Sequence, residues 1–411
     1  MNEWKEVRLG EVVQINPESL TKDYPFNVID YIDISSVGTG ELRETTQYPI
    51  SEAPSRAKRL VRAGDTILST VRPNRRSFLY LKKPKENQVV STGFAVLRAT
   101  EKINSRYLYY LISDQKFTDY LVSQEQGAAY PAVSIDSIKN AIVLLPDLET
   151  QEKIASILGS IDDKIELNVE MNKTLEEMAM TLYKHWFVDF GPFQDGEFVE
   201  SELGMIPEGW ECIEIGEAVS VLGGGTPKTS VKEYWENGDI NWFSPTDLTT
   251  QKSLFISKSS KKITKLGLEK SSAKLFPPYC VMMTSRATIG EISINREEAC
   301  TNQGFITLIP NETFTMYQLY FWLKTNMDLI LSIANGSTFK EVSKTNFKKL
   351  KILKPKNIEE FTRKCEKLFK LIESNLIEIE ELTNIRDYLL PRLLSGEIDV
   401  SEAEKQVEEV L

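Results

Sequence analysis

His185 is the single histidine of the 411-residue chain. Nuclease, zinc-hydrolase and catalytic-triad sites mostly use imidazole as base or ligand, so most of those chemistries lose their central group at once. His185 itself lies in a helical pattern and reads as a helix-surface residue. Cys212, Cys280, Cys300 and Cys365 contain no C-x-x-C pair, which argues against a disulfide framework or a zinc site. Phe276-Pro277-Pro278-Tyr279 has the outline of the Asn/Asp/Ser-Pro-Pro-Tyr/Phe motif of amino-transferring methylation chemistry. That chemistry needs a polar first side chain to accept a hydrogen bond from the target amine, and Phe276 has none. Gly223-Gly224-Gly225-Thr226 lacks the Gly-Lys-Ser/Thr ending of a P-loop and reads as a flexible turn. With no catalytic carboxylate cluster either, the expectation is a chain that is not an enzyme and holds neither metal nor cofactor.

The cations are arranged more tellingly. The net charge is −11, yet residues 1–145 carry 19 Lys+Arg against 17 Asp+Glu, and residues 201–355 carry 18 against 16. The acid lies elsewhere: residues 146–200 carry 4 against 13, and residues 356–411 carry 8 against 14. Arg56, Lys58, Arg59, Arg62, Arg72, Arg75 and Arg76 are opposed only by Asp65; Lys258, Lys261, Lys262, Lys265, Lys270, Lys274 and Arg286 are opposed only by Glu269. Clustered cations beside turn residues suit nucleic-acid phosphates, whose condensed counterions they release. Arg72 and Arg286, each just after a strand and near a turn, are placed to offer a planar fork to guanine O6 and N7. Asn74, Thr226, Lys228, Ser285, Asn302, Gln303 and Lys340 complete the set of expected DNA contacts. Acidic helices repel phosphate and are better suited to protein partners.

Positioning these groups falls to a duplicated fold. Trp4, Leu9, Gly10, Glu11 and Val13 recur as Trp210, Ile215, Gly216, Glu217 and Val219, each displaced by 206 positions. Gly93-Phe94 recurs as Gly304-Phe305, Leu108-Tyr109 as Leu319-Tyr320, and Gly127, Val133, Ser134 and Pro146 as Gly336, Val342, Ser343 and Pro355. Collinear matches over this length mean two copies of one domain. Strand-like runs such as Asp65 to Val71 and Val89 to Leu97, with a helical stretch near Tyr107 to Leu121, make each copy a mixed α/β globule of the α+β class.

Each copy is followed by a long helix. Ile154, Leu158, Ile161, Ile165, Asn168, Asn172, Leu175, Ala179, Leu182 and Trp186 alternate steps of four and three, and so do Phe361, Cys365, Leu368, Ile372, Asn375, Ile379, Leu382, Arg386, Leu389 and Leu393. Unbroken heptad seams of this kind predict a two-helix coiled coil. If the helices run antiparallel, Asn172 falls opposite Asn375, a buried amide pair that fixes register. A helix of about 40 residues spans about 60 Å, longer than one DNA turn of about 34 Å. A charged start with no apolar leader, and no run long enough for a membrane span, lead to the expectation of a cytoplasmic protein.

Several stretches resemble a known family. Leu145-Pro146-Asp147-Leu148-Glu149-Thr150-Gln151-Glu152-Lys153-Ile154-Ala155, Asn172-Lys173-Thr174-Leu175-Glu176 and Trp186-Phe187-Val188-Asp189-Phe190 resemble the central conserved region of specificity subunits of type I restriction-modification enzymes. Leu390-Pro391-Arg392-Leu393-Leu394-Ser395-Gly396-Glu397-Ile398 is similar to their distal region. Gly225-Thr226-Pro227, Tyr234-Trp235, Ile240-Asn241-Trp242, Ser285-Arg286, Ile289-Gly290 and Thr301-Asn302-Gln303-Gly304-Phe305 are similar to segments of their recognition domains; Asn16-Pro17-Glu18 in the first copy lacks the Gly-Thr-Pro. The resemblance implies target-recognition domains at 1–148 and 201–357, a central long helix and linker at 149–200, and a distal helix and tail at 358–411. It implies that each domain reads half of a split, asymmetric site in double-stranded DNA, and that the antiparallel helices set the spacing and dock two methyltransferase subunits. Restriction subunits, ATP-driven translocases and endonucleases, join the larger complex. S-adenosylmethionine, ATP and magnesium then belong to the partners. The competing reading is a coiled-coil scaffold whose repeats bind protein.

Overall fold

A computed structural model of the chain describes residues 4–127, 131–336 and 340–408. Two compact units result: Met1–Leu167 with Glu378–Leu411, and Asn168–Ile377. Both long helices are therefore shared between units, which the chain order of the repeats does not reveal.

In the first unit, β1 (Lys5–Arg8) pairs antiparallel with β10 (Ile142–Leu145). An antiparallel sheet runs in the order β2 (Val13–Ile15), β9 (Phe94–Ala99), β6 (Thr66–Ser69), β7 (Phe78–Tyr80). A second sheet runs β4 (Thr46–Pro49), β3 (Val28–Ile32), β8 (Gln88–Ser91), β5 (Ala57–Leu60), with β3 and β8 parallel. The expected single strand Val89 to Leu97 is thus two strands in different sheets. The chain kinks at Thr92-Gly93, where a Cβ on Gly93 would lie 2.1 Å from Ile34 Cδ1, so the Ile34 side chain would have to move to admit one. The expected helix near Tyr107 to Leu121 is likewise two, Ser105–Ser113 and Gln115–Ser123. Asp114 leaves the helical region between them and its carboxylate accepts the Lys116 N–H, capping the second helix.

The second unit repeats this plan. β13 (Glu211–Glu214) pairs with β22 (Lys351–Lys354). One sheet runs β14 (Ser220–Gly223), β21 (Phe305–Ile309), β18 (Val281–Thr284), β19 (Ile292–Asn295), β16 (Phe255–Ile256), and the other β17 (Lys261–Ile263), β15 (Ile240–Phe243), β20 (Ala299–Thr301), with β15 and β20 parallel. Even the weak links recur: the parallel pairing of β16 with β19 matches an isolated parallel bridge from Thr39 to Phe78. Gly10 and Gly216 occupy one equivalent position, because a Cβ on either would press on Lys139 or Lys348 at 3.1 and 2.9 Å. A hairpin of β11 (Phe198–Ser201) and β12 (Gly204–Pro207) precedes the second copy.

The central helix, Leu148–Phe187, opens where Asp147 accepts the Thr150 N–H at 2.9 Å, an N-terminal cap. The distal helix, Glu359–Ser395, stops at Gly396, whose φ of +72° belongs to the left-handed closure that glycine favours. Within the first unit, Ile154, Leu158 and Ile161 share a buried cluster with Leu382, Leu389 and Leu393, and Arg386 bonds Asp162 at 3.0 Å. Within the second, Ala179, Tyr183 and Trp186 bury against Phe361, Cys365 and Ile372. In both, later residues of one helix meet earlier residues of the other, so the helices run antiparallel. Ile165, Leu175, Leu182 and Leu368 are half-buried members of the same seams. Asn375 Nδ2 donates to Asn172 Oδ1 at 2.9 Å, the register that the heptads predict. Among the described residues no helix is long and apolar enough to cross a membrane.

Candidate nucleic-acid interface

In the second unit a network of backbone hydrogen bonds gathers residues that lie far apart in sequence. Ser285 N–H donates to the Gly304 carbonyl at 2.7 Å, Val342 N–H to the Ser285 carbonyl at 3.0 Å, Gly225 N–H to the Thr301 carbonyl at 2.9 Å, and Asn302 N–H to the Phe243 carbonyl at 3.0 Å. Thr226 Oγ1 donates to Gln303 Oε1 at 2.6 Å, while Asn302 Oδ1 accepts the Gly304 N–H at 2.8 Å. Thr226, Gln303, Arg286 and Lys340 are exposed along this edge. Arg286 pairs with Glu341 at 2.7 Å. Glu341 had no place among the expected contacts; its signal was only its position beside Lys340.

The first unit builds the same edge. Thr70 N–H donates to the Gly93 carbonyl, and Val133 N–H to the Thr70 carbonyl, both at 2.8 Å. The Arg56 carbonyl accepts the Thr92 N–H and the Pro131 carbonyl accepts the Arg72 N–H, at 2.8 and 2.9 Å. Exposed Arg56, Asn74 and Arg75 stand along it. Thr70 therefore matches Ser285, and the residue matching Arg286 is Val71. Arg72 matches Ala287; both take the left-handed conformation, with φ of 48° and 59°. Arg72 and Arg286 are therefore one position out of register between the two copies.

The surroundings of the other expected contacts separate side chains held within the fold from exposed ones. Ser285 is 2% exposed, so it anchors the edge through its backbone. Arg76 donates to Gln115 Oε1 at 2.6 Å and to the Ser113 carbonyl, and lies over the Phe78 ring; it ties its loop to the helix junction at Asp114. Arg59 is half-buried and reaches Ser19 Oγ at 3.4 Å. Lys58 is exposed at a bulge of β5 beside it. Lys261 and Lys262 are exposed on β17, paired with Trp242 and Asn241, and exposed Lys228 accepts Trp235 Nε1–H on its carbonyl. These lie outside the edge network. Arg62 bonds Glu18 at 2.6 Å. Burial opposes ionisation of Glu18, but hydrogen bonds from Arg98 and Arg62 win and hold its carboxyl below the usual range.

The glycine turn is packed closely against backbone. A Cβ on Gly224 would lie 2.1 Å from the Asn302 carbonyl, and one on Gly225 would lie 2.6 Å from the Ala273 nitrogen; backbone fills the space a side chain would need. Phe276 is buried on an antiparallel bridge to Ala299, and Tyr279 turns through φ 64° with its hydroxyl donating to Glu373. That stretch is a structural turn. Among the described residues no group of His, Cys, Asp and Glu could hold a metal ion.

A family model for the type I restriction modification DNA specificity domain matches residues 1–177 and 207–386. The chain is similar to the type I restriction enzyme HindI specificity subunit of Haemophilus influenzae, 28% identical over 97% of this chain and 100% of that protein. It is similar to the MjaIX specificity subunit of Methanocaldococcus jannaschii, 29% identical over 97% and 89%. Among solved structures it shares the fold of a type I restriction-modification S subunit from M. genitalium, at 15% identity, a TM-score of 0.57, and coverage of 95% and 96%.

Proposed function

Because the chain belongs to the family of type I restriction modification DNA specificity proteins, we infer that its two repeated edges are the surfaces that read DNA, one half-site each. The chain is the specificity subunit of such a complex: its work is sequence recognition and assembly, with DNA and companion subunits as partners. The observation that carries the assignment to the edges is their repetition. The same backbone bonds, Thr70 to Gly93 and Ser285 to Gly304, build both edges, and exposed polar side chains stand along each, in two copies whose loops otherwise differ. Two unlike edges suit an asymmetric, bipartite site.

Arg56, Arg72, Asn74, Arg75, Thr226, Arg286, Asn302, Gln303 and Lys340 make the contacts near bases, while Lys58, Lys228, Lys261 and Lys262 neutralise phosphates. The chain is non-catalytic and carries no cofactor of its own. The long helices dock two methyltransferase subunits, which bring S-adenosylmethionine; ATP and magnesium belong to restriction subunits in the full complex. Exposed apolar side chains on the central helix, Met171 and Met178 among them, support a protein-facing role for it. The proposed domain limits remain those of the repeats, 1–148 and 201–357, with 149–200 and 358–411 as the helical segments.

Genome-wide mapping of methylated bases, in cells with and without this chain, tests the reading. A two-part motif that vanishes with the chain is expected. Methylation indifferent to the chain, with DNA binding independent of salt in the assembled complex, would point to the protein-binding scaffold instead.

A further inference from the structure

Opposite Arg286, on the antiparallel bridge that closes the second edge, stands Glu341. The matching bridge of the first edge joins Val71 to Ala132. The correspondence is tight, since Glu341 exchanges both backbone hydrogen bonds with Asn335 at 2.9 and 2.8 Å, and Ala132 does the same with Gln126 at 2.9 and 3.0 Å. One scaffold position therefore carries a cation and an anion in one copy and two small apolar groups in the other.

We propose that Arg286 and Glu341 act together as the reader of one G·C base pair, with Arg286 donating to the guanine and Glu341 accepting from the cytosine amine. This rests on the assignment of the two edges to DNA. A G·C pair presents guanine O6 and N7 as acceptors and cytosine N4 as a donor on the same major-groove edge. An arginine fork and a carboxylate held side by side match that pattern, and neither alone spans it. The ion pair stands 2.7 Å apart with its side chains 44% and 42% exposed, so little is lost when each partner turns to a base. Glu341 also holds the fork in place before DNA arrives. Val71 and Ala132 offer no hydrogen bond at the equivalent place and suit a thymine methyl.

The test uses the chain assembled with its modification partner, and reads methylated bases genome-wide for the wild type, Glu341→Gln, Arg286→Gln, and the double variant Arg286→Val with Glu341→Ala. An absent two-part motif in the wild type removes the DNA assignment itself. With that motif present, the proposal expects each variant to relax one G·C position in one half-site by roughly tenfold or more, and the other half-site to stay intact. The double variant, which copies the first edge, shifts that position towards T·A. An unchanged motif, an even loss of methylation at every site, or changes in both half-sites overturns the proposal while leaving the DNA assignment standing. Both side chains are exposed, so thermal unfolding of the variants should match the wild type.

Discussion

At the scale of single residues, the basic run from Arg56 to Arg76 contains two kinds of cation that the sequence does not separate. Arg75 is exposed. Arg76, its neighbour, spends its guanidinium on Ser113, Gln115 and the Phe78 ring. Arg76→Ala strands the Ser113 carbonyl, so a loss of roughly 1–3 kcal/mol in thermal or urea unfolding is expected. Arg75→Ala should leave stability within about 0.5 kcal/mol and relax the recognised sequence at one position by about 1–3 kcal/mol of discrimination. Equal unfolding midpoints for the two variants would mean that Arg76 is not the anchor described. The register of the two edges was illegible for a related reason. Arg72 and Arg286 each follow a strand near a turn, but the match is set by the Val133 N–H on the Thr70 carbonyl and the Val342 N–H on the Ser285 carbonyl, partners about 60 residues apart that local pattern cannot align.

Elements were more legible where their geometry is local. A heptad needs only its own helix to be recognised, which is why the seams from Ile154 to Trp186 and from Phe361 to Leu393, and the Asn172–Asn375 partnership, are readable from spacing. The run Val89 to Leu97 is apolar at both ends with Ser91-Thr92-Gly93 between, and hydrophobic period alone does not say that the chain kinks there into two sheets. The asparagine pair has a measurable cost. The Asn172 amide nitrogen is buried without a hydrogen-bond acceptor, a deficit of roughly 1–3 kcal/mol. Asn172→Leu alone also orphans Asn375 and should lower the melting temperature, whereas the double change to leucine should raise it above the wild type, trading register for stability. A double variant less stable than either single one would remove the pair from its register role. On the same central helix Asp163 pins the first unit, bonding Arg106 at 2.7 Å and also Lys82. The hydrogen bond from Arg106, with help from Lys82, lowers the Asp163 carboxyl to about 2. Its stabilisation is present above the unfolded value near 4 and is lost as pH falls towards 2.

For the whole molecule the question is how a chain of net charge −11 holds a polyanion. Distance and screening decide it. At about 0.1 M salt the Debye length is about 10 Å, so acids beyond that reach of a phosphate are largely silent, while cations touching phosphates act in full. Near 0.01 M the length grows to about 30 Å and the acidic helices enter the field of the duplex. The logarithm of affinity against that of salt should therefore run straight with a negative slope at and above about 0.1 M, and flatten towards 0.01 M as helix repulsion offsets the gain from counterion release. Glu152, Glu170 and Glu177 are exposed on the central helix. Changing all three to glutamine should straighten the low-salt limb and leave the high-salt slope as it was, because they touch no phosphate. Lys261→Ala with Lys262→Ala should do the reverse, reducing the slope by about two with the curvature kept. A glutamine variant whose slope changes at high salt would place the acids in contact with DNA, and the division between reading edges and partner-facing helices would fail.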